Sequence, residues 1–205
     1  MSLPEVVSRE QWLAARTQLL DQEKQLTRRR DALNAGRRRL PMVEIDEDYA
    51  FEGPEGSAGL LDLFDGRRQL IVGHFMFDPA WEDGCPSCSA GADEVSQGLL
   101  DHLHARDTTL AYDFHVTLDE RVTPAEYNYR PMPVEGDEPM EMPGTSYFLR
   151  AGERVFHTYS TYARGAGMTG GSYYWLDLTA LGRQEDWEEP KGRAASAHAA
   201  RPDFS

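Results

Sequence analysis

Between residues 8 and 35 the apolar positions recur at helical spacing. Trp12, Leu13, Leu19, Leu20, Leu26 and Leu33 fall mostly on one stripe, and the surrounding positions are charged. Ser8 followed by Gln11 fits a capping box, and Asn34-Ala35-Gly36 supplies a stop. A helix that is apolar on one side must cover that side, either with its own domain or with a second copy of the chain. The period then changes. Met42–Ile45 alternates as a short strand, Phe51–Gly56 reads as a turn, and Leu60–Gly66 as one helical turn ended by glycine. Gln69–Phe77 is almost continuously apolar, as a central strand covered on both faces should be, and Pro79 ends it.

After the loop Ala80–Gly84, residues 86 to 104 return to helical spacing, with Ala92, Val95, Leu99 and Leu103 on one stripe. Gly91 and Gly98 weaken this helix by roughly 1 kcal/mol each relative to alanine. Thr108–Leu118 alternates as a strand. Pro124, Pro131, Pro133, Pro139 and Pro143 mark an ordered surface loop over residues 123 to 144. Ser146–Arg150 and Arg154–Thr158 form a hairpin through Ala151-Gly152-Glu153. Tyr173–Leu178 reads as a further strand or short helix, and the Ala, Arg, Gly and Ser-rich tail from about Pro190 as disordered. The pattern predicts an α/β fold in three parts: a helical arm over residues 1–40, one domain over 41–190 and a tail over 191–205.

Composition narrows the partners. At 205 residues and 40% hydrophobic content the chain suits one packed domain with an arm. No stretch approaches the roughly 18 continuous apolar residues of a membrane span. Met1–Glu5 has no basic region followed by an apolar run, so a cytoplasmic location is expected. The net charge of −14 repels phosphate backbones and anionic lipid, so neither nucleic acid nor membrane is expected as a partner. The clusters Arg28–Arg30 and Arg37–Arg39 could make an anion patch, but read better as the solvated side of the helix and the turn after it.

The reactive chemistry is concentrated at Cys85 and Cys88, the chain's two cysteines. A bridge closing so short a ring constrains the unfolded chain little, so redox chemistry or metal binding explains the pair better than stapling. The order is buried strand, loop, C-x-x-C, helix. Cys85 falls at the N-cap and Pro86 at the first helical position, where a missing amide donor costs nothing. Free amides and the dipole at a helix start favour a thiolate, the attacking form in disulfide exchange. Cys85 would then be the exposed nucleophile and Cys88, one turn in, the buried resolving thiol. Pro86, Ser87 and Trp81 frame the pair. Glu82 and Asp83 act against a thiolate. No cis-proline signal is obvious: Pro143 is close, but Gly144 follows it and Thr145 opens the strand.

Rival chemistries are weaker. A structural zinc site needs four ligands, commonly two close pairs, and none of His74, His102, His104, His115 and His157 forms an H-x(3–5)-H pair. His157 could face the dithiol, although a lone histidine in an alternating strand is more often simply hydrogen-bonded. Tyr127, Tyr129, Tyr147, Tyr159, Tyr162, Tyr173, Tyr174 and Trp175 could line a pocket, but read better as core and strand packing. There is no phosphate-binding loop, dinucleotide fingerprint, serine-hydrolase signature or H-E-x-x-H motif.

Several runs resemble a known family. They are Phe51–Pro54, Leu63–Val72, His74–Phe77, Gly84–Ser89, Tyr112–Val116, Tyr127–Tyr129, Val155–Gly165 and Tyr174–Thr179. Over about residues 5 to 190 the chain is similar to a bacterial thioredoxin-like family catalogued as a domain of unknown function and described as predicted dithiol–disulfide oxidoreductases. The resemblance implies a thioredoxin-like three-layer fold with an N-terminal helical extension. Similar members carry a few tens of residues between the strand near Leu110 and Tyr112–Phe114. Here Leu110 runs directly into Ala111-Tyr112. A parallel strand pair needs a crossover of a dozen or more residues, so the chain should lack a strand–helix unit or fuse two strands.

Two functions follow from these residues. The first is a thiol–disulfide oxidoreductase acting on a protein or small-molecule thiol or disulfide. It needs no bound cofactor, only a reductant such as a thioredoxin or glutathione system. The second is a non-catalytic binding or scaffold module on the same fold, with zinc binding a third and weaker reading. The N-terminal helix makes a homodimer plausible.

Overall fold

Ser8 starts the first helix, α1 (Arg9–Arg37), as the spacing predicts: its hydroxyl accepts from Gln11 N–H and the Gln11 side chain accepts from Ser8 N–H. The helix passes through Gly36 rather than stopping there, and Arg38 caps it. The computed structural model describes residues 3–54, 56–78, 80–114, 117–118, 140–168, 171, 176–181, 189 and 191. Most of the proline-rich stretch, His115, Tyr127, Tyr129, Tyr173–Trp175 and the tail beyond residue 191 lie outside them.

The fold is mixed α/β. Among the described residues nine strands follow α1: β1 (Val43–Ile45), β2 (Ala50–Gly53), β3 (Gly56–Gly59), β4 (Gln69–Phe75), β5 (Thr108–Phe114), β6 (Thr117–Leu118), β7 (Met140–Glu141), β8 (Gly144–Ala151) and β9 (Arg154–Tyr162). Five of them form the main sheet, in the order β1-β9-β8-β4-β5. β4 pairs in parallel with β5, from Gln69 opposite Thr108 to Phe75 opposite Phe114, and antiparallel with β8. β8 and β9 form the expected hairpin, with Gly152 at positive φ in the turn.

Three expectations are corrected. Phe51–Gly56 is not a simple turn: it lies within the hairpin β2–β3, where Phe51 pairs with Ala58. The helix expected over 86–104 is two helices, α2 (Pro86–Asp93) and α3 (Gln97–His104). Ser96 causes the break, because its hydroxyl accepts from Leu99 N–H and caps a new helix. The shortened centre takes the fused form. β5 runs unbroken through Leu110 and Ala111, and α2 and α3 together make the crossover that a parallel pair requires.

Alternation along β4 divides the domain. Leu70 and Val72 point to one face, where they meet Leu60, Phe64 and Val155 in the core. The 3-10 turn Asp62–Phe64 covers this face. Thr109 Oγ1 donates to Phe64 O at 2.7 Å and Arg150 Nη2 to Gly66 O at 2.8 Å, so the C-terminal end of the turn and the residues after it are tied to the sheet. Asp65 and Gly66 both take positive φ, which ends the turn and feeds β4. The opposite face carries Ile71, Gly73 and Phe75 and lies toward the α2–α3 crossover. α1 buries no residue against this domain.

Phe64 is 0% exposed at the centre of the core cluster. Phe64→Ala should lower unfolding stability by about 3–5 kcal/mol, read as a shifted midpoint in urea titration with an unchanged slope.

Candidate functional site

The end of β4 positions the dithiol. After Phe75 the chain makes a short loop, and Cys85 N–H closes it by donating to Met76 O at 3.1 Å. The loop lies flat on an aromatic ring: a Cβ at Gly84 would sit 2.6 Å from Phe75 Cε1. Phe75 in turn packs at 4.9 Å against Phe114 at the end of β5. Trp81 lies half-buried in this loop, its N–H donating to Asp78 O at 2.9 Å.

Cys85 is the N-cap of α2 and Pro86 the first helical residue, as the sequence predicts. Ser89 N–H donates to Cys85 O at 2.9 Å, the first bond of the helix. The Cys85 thiol is lowered from 9.0 to about 6. Its largest stabiliser is the Cys88 thiol, which donates to the Cys85 sulfur; burial acts in the opposite direction, and the Cys88 and Ser87 backbone amides add to the lowering. Both cysteines are reduced.

The expected exposures are reversed. Cys85 is 3% exposed, whereas Cys88 is partly open. The sulfur whose thiol is lowered is thus the covered one.

Tyr112 is the site residue that the sequence reading did not single out. Its hydroxyl is raised above the ordinary tyrosine value by burial first, then by negative charge at Cys88 and Glu94. It therefore lies within electrostatic reach of Cys88. Gly73, its partner in the β4–β5 register, makes the space: a Cβ there would lie 2.6 Å from Tyr112 Cε1. A glycine within the most apolar strand was the available signal.

His157 belongs to a different constellation. His74 Nε2, Ser146 Oγ, Ser160 Oγ and His157 Nε2 form a continuous chain, with all three separations 2.7 Å. It crosses β4, β8 and β9 on the face that carries Leu70 and Val72, away from Tyr112. His74 stacks on Tyr162 at 5.7 Å, and its buried Nδ1 has no hydrogen-bond partner among the described residues. Burial and the nearby His157 lower His74 to about 4. Among the described residues, no group of three or more His, Cys, Asp or Glu is placed to hold a metal ion.

A bacterial protein family of unknown function (DUF899) matches residues 1–112 and 110–200. The chain belongs to this family. The two DUF899 segments meet at residues 110–112, the point where the sequence reading places the shortening. Searches of the curated proteins and of the solved structures return no match. Among the described residues, no helix is long and apolar enough to cross a membrane.

Two outcomes can be measured at this site. Thiolate absorbance should titrate with a midpoint near 6. Cys88→Ala should raise that midpoint by roughly one unit or more, while Cys88→Ser, which keeps a donor, should move it less. The second concerns stability. Folded His74 takes up its proton near pH 4 and the unfolded residue near 6.5. Stability is therefore fully present above 6.5 and falls as pH drops through that window, by up to about 3 kcal/mol. Unfolding midpoints between pH 7 and 4 should show this slope, and His74→Gln should flatten it.

Proposed function

We propose that this chain is a dithiol–disulfide oxidoreductase on a thioredoxin-like fold. The observation that carries the proposal is Cys85 at the N-cap of α2, with its thiol lowered to about 6 beside the Cys88 donor. The topology supports it. A central strand, a helical crossover to a parallel neighbour and an antiparallel hairpin on the other side are the setting in which a C-x-x-C after a strand end reads as a redox motif. Pro143 immediately precedes β8, which opens at Gly144 rather than Thr145. A proline is thus next to a strand that borders β4.

The chemistry balances as two successive exchanges. The Cys85 thiolate attacks one sulfur of a substrate disulfide, forming a mixed disulfide and releasing the first thiolate, which takes a proton. Cys88 then loses its proton and attacks the Cys85 sulfur. The Cys85–Cys88 disulfide forms and the second substrate thiol leaves. Two electrons have passed to the substrate, and an external thiol reductant returns the pair to the dithiol.

One observation favours a second reading, a binding module on the same fold without turnover: Cys85 is 3% exposed. Equilibration against glutathione buffers, with free thiols counted by mass, separates the two. The oxidoreductase should show a reversible two-electron transition between about −120 and −270 mV. Absence of a reversible Cys85–Cys88 disulfide at every poise would leave the binding module.

A further inference from the structure

α1 is a helix of 29 residues, about 43 Å long, that buries none of its side chains. It touches the domain at the C-terminal end, where the Arg37 guanidinium lies 5.2 Å over the Tyr159 ring; within the helix, Arg37 Nη1 donates to Asn34 Oδ1 at 2.7 Å. Trp12 is 51% exposed and Leu26 66% exposed. In most proteins a helix draws its stability from packing an apolar face rather than from propensity, and this one has not packed its face on its own domain.

The stripe says what it fits. Trp12, Leu19, Leu26 and Leu33 recur every seven residues, with Leu13 and Leu20 beside the first two. A seven-residue repeat stays in register when the helix supercoils about another helix, whereas on a straight helix it drifts by about 20° per repeat. Charge then selects the partner and its direction. Residues 9–24 balance Arg9, Arg16 and Lys24 against Glu10, Asp21 and Glu23, whereas residues 28–39 set six arginines against Asp31 alone. A parallel pair would bring two strongly cationic ends together. An antiparallel pair sets each cationic end against the neutral half of its neighbour, with Glu10 toward the arginines.

We infer that α1 is an antiparallel dimerisation helix whose occupant is α1 of a second copy of this chain, with Trp12 of one copy meeting Leu33 of the other across a two-fold axis between Leu19 and Leu26. The contact is isologous, so it closes at two copies.

Sedimentation of the full chain, from micromolar to hundreds of micromolar, tests the pairing. The chain should sediment as a dimer. Leu19→Glu with Leu26→Glu should give a monomer with unchanged near-ultraviolet circular dichroism. The milder Leu19→Ala with Leu26→Ala should raise the dissociation constant by about a hundredfold or more. A wild-type monomer at every concentration, or a dimer insensitive to both variants, would overturn the inference. Direction is read on a Cys85→Ser, Cys88→Ser background. Trp12→Cys with Leu33→Cys should cross-link covalently into dimers on oxidation, while Trp12→Cys alone should not, because the two copies of position 12 are then about 32 Å apart. Efficient cross-linking through position 12 alone would overturn the antiparallel arrangement.

Discussion

β4 is the constraint on which the domain depends. Both of its edges are hydrogen-bonded, to β5 on one side and β8 on the other. Both of its faces need cover, and they receive it from different parts of the chain. Residues 60 to 64 close over Leu70 and Val72. The crossover and the Tyr112 ring close the other side, the ring lying over Gly73. Because the strand is held on four sides, its C-terminal end is a fixed point, and the loop that follows reaches Cys85 with one backbone bond to Met76. The dithiol inherits its position from the most buried strand in the molecule.

The price of that burial is a polar line through the same sheet. His74 follows Leu70 and Val72 on the core face, and a hydrogen-bonding side chain there must find partners. Ser146 and Ser160 supply them, and His157 ends the chain of contacts. The four residues agree only if β4, β8 and β9 hold one register. A slip by one residue would turn the serines to the other face and strand the imidazoles. The irregularity between Tyr147 and Phe148 absorbs an extra residue, and Thr158 Oγ1 satisfies the freed Tyr147 carbonyl at 2.9 Å. The network specifies pairing more than it adds stability, since neutral His74 must be kept from its preferred protonation below pH 6.5.

What was legible in the sequence was local. The capping box of α1, the apolar run of β4, the hairpin around Gly152 and the Cys85-Pro86 helix start each depend on neighbours within a few residues, and each appears as read. What was missed is non-local or competitive. Tyr112 reaches the dithiol only because its register partner is Gly73, a relation that exists after β4 and β5 pair. His157 was separated from Cys85 by the alternation of a strand whose bulge shifts the faces. The long helix over 86–104 failed because a cap at Ser96 outcompeted continuation. The reversed exposure of the cysteines depends on the tertiary surroundings of the N-cap, which helical geometry alone does not contain.

Burial and reactivity at Cys85 are compatible if the mobile part is α2 rather than the sheet. α2 spans two turns, buries no side chain, and is disconnected from α3 by the break at Glu94–Ser96. α3 packs on β5, so it stays with the sheet. A short helix with few buried contacts opens at a cost far below global unfolding. Cys85, Cys88 and the amides of Ser87 and Cys88, the groups that lower the Cys85 thiol, belong to one turn. The acidity is therefore a property of that turn, whereas the burial is set by what surrounds it, and for the proposed exchange only the second has to be lost.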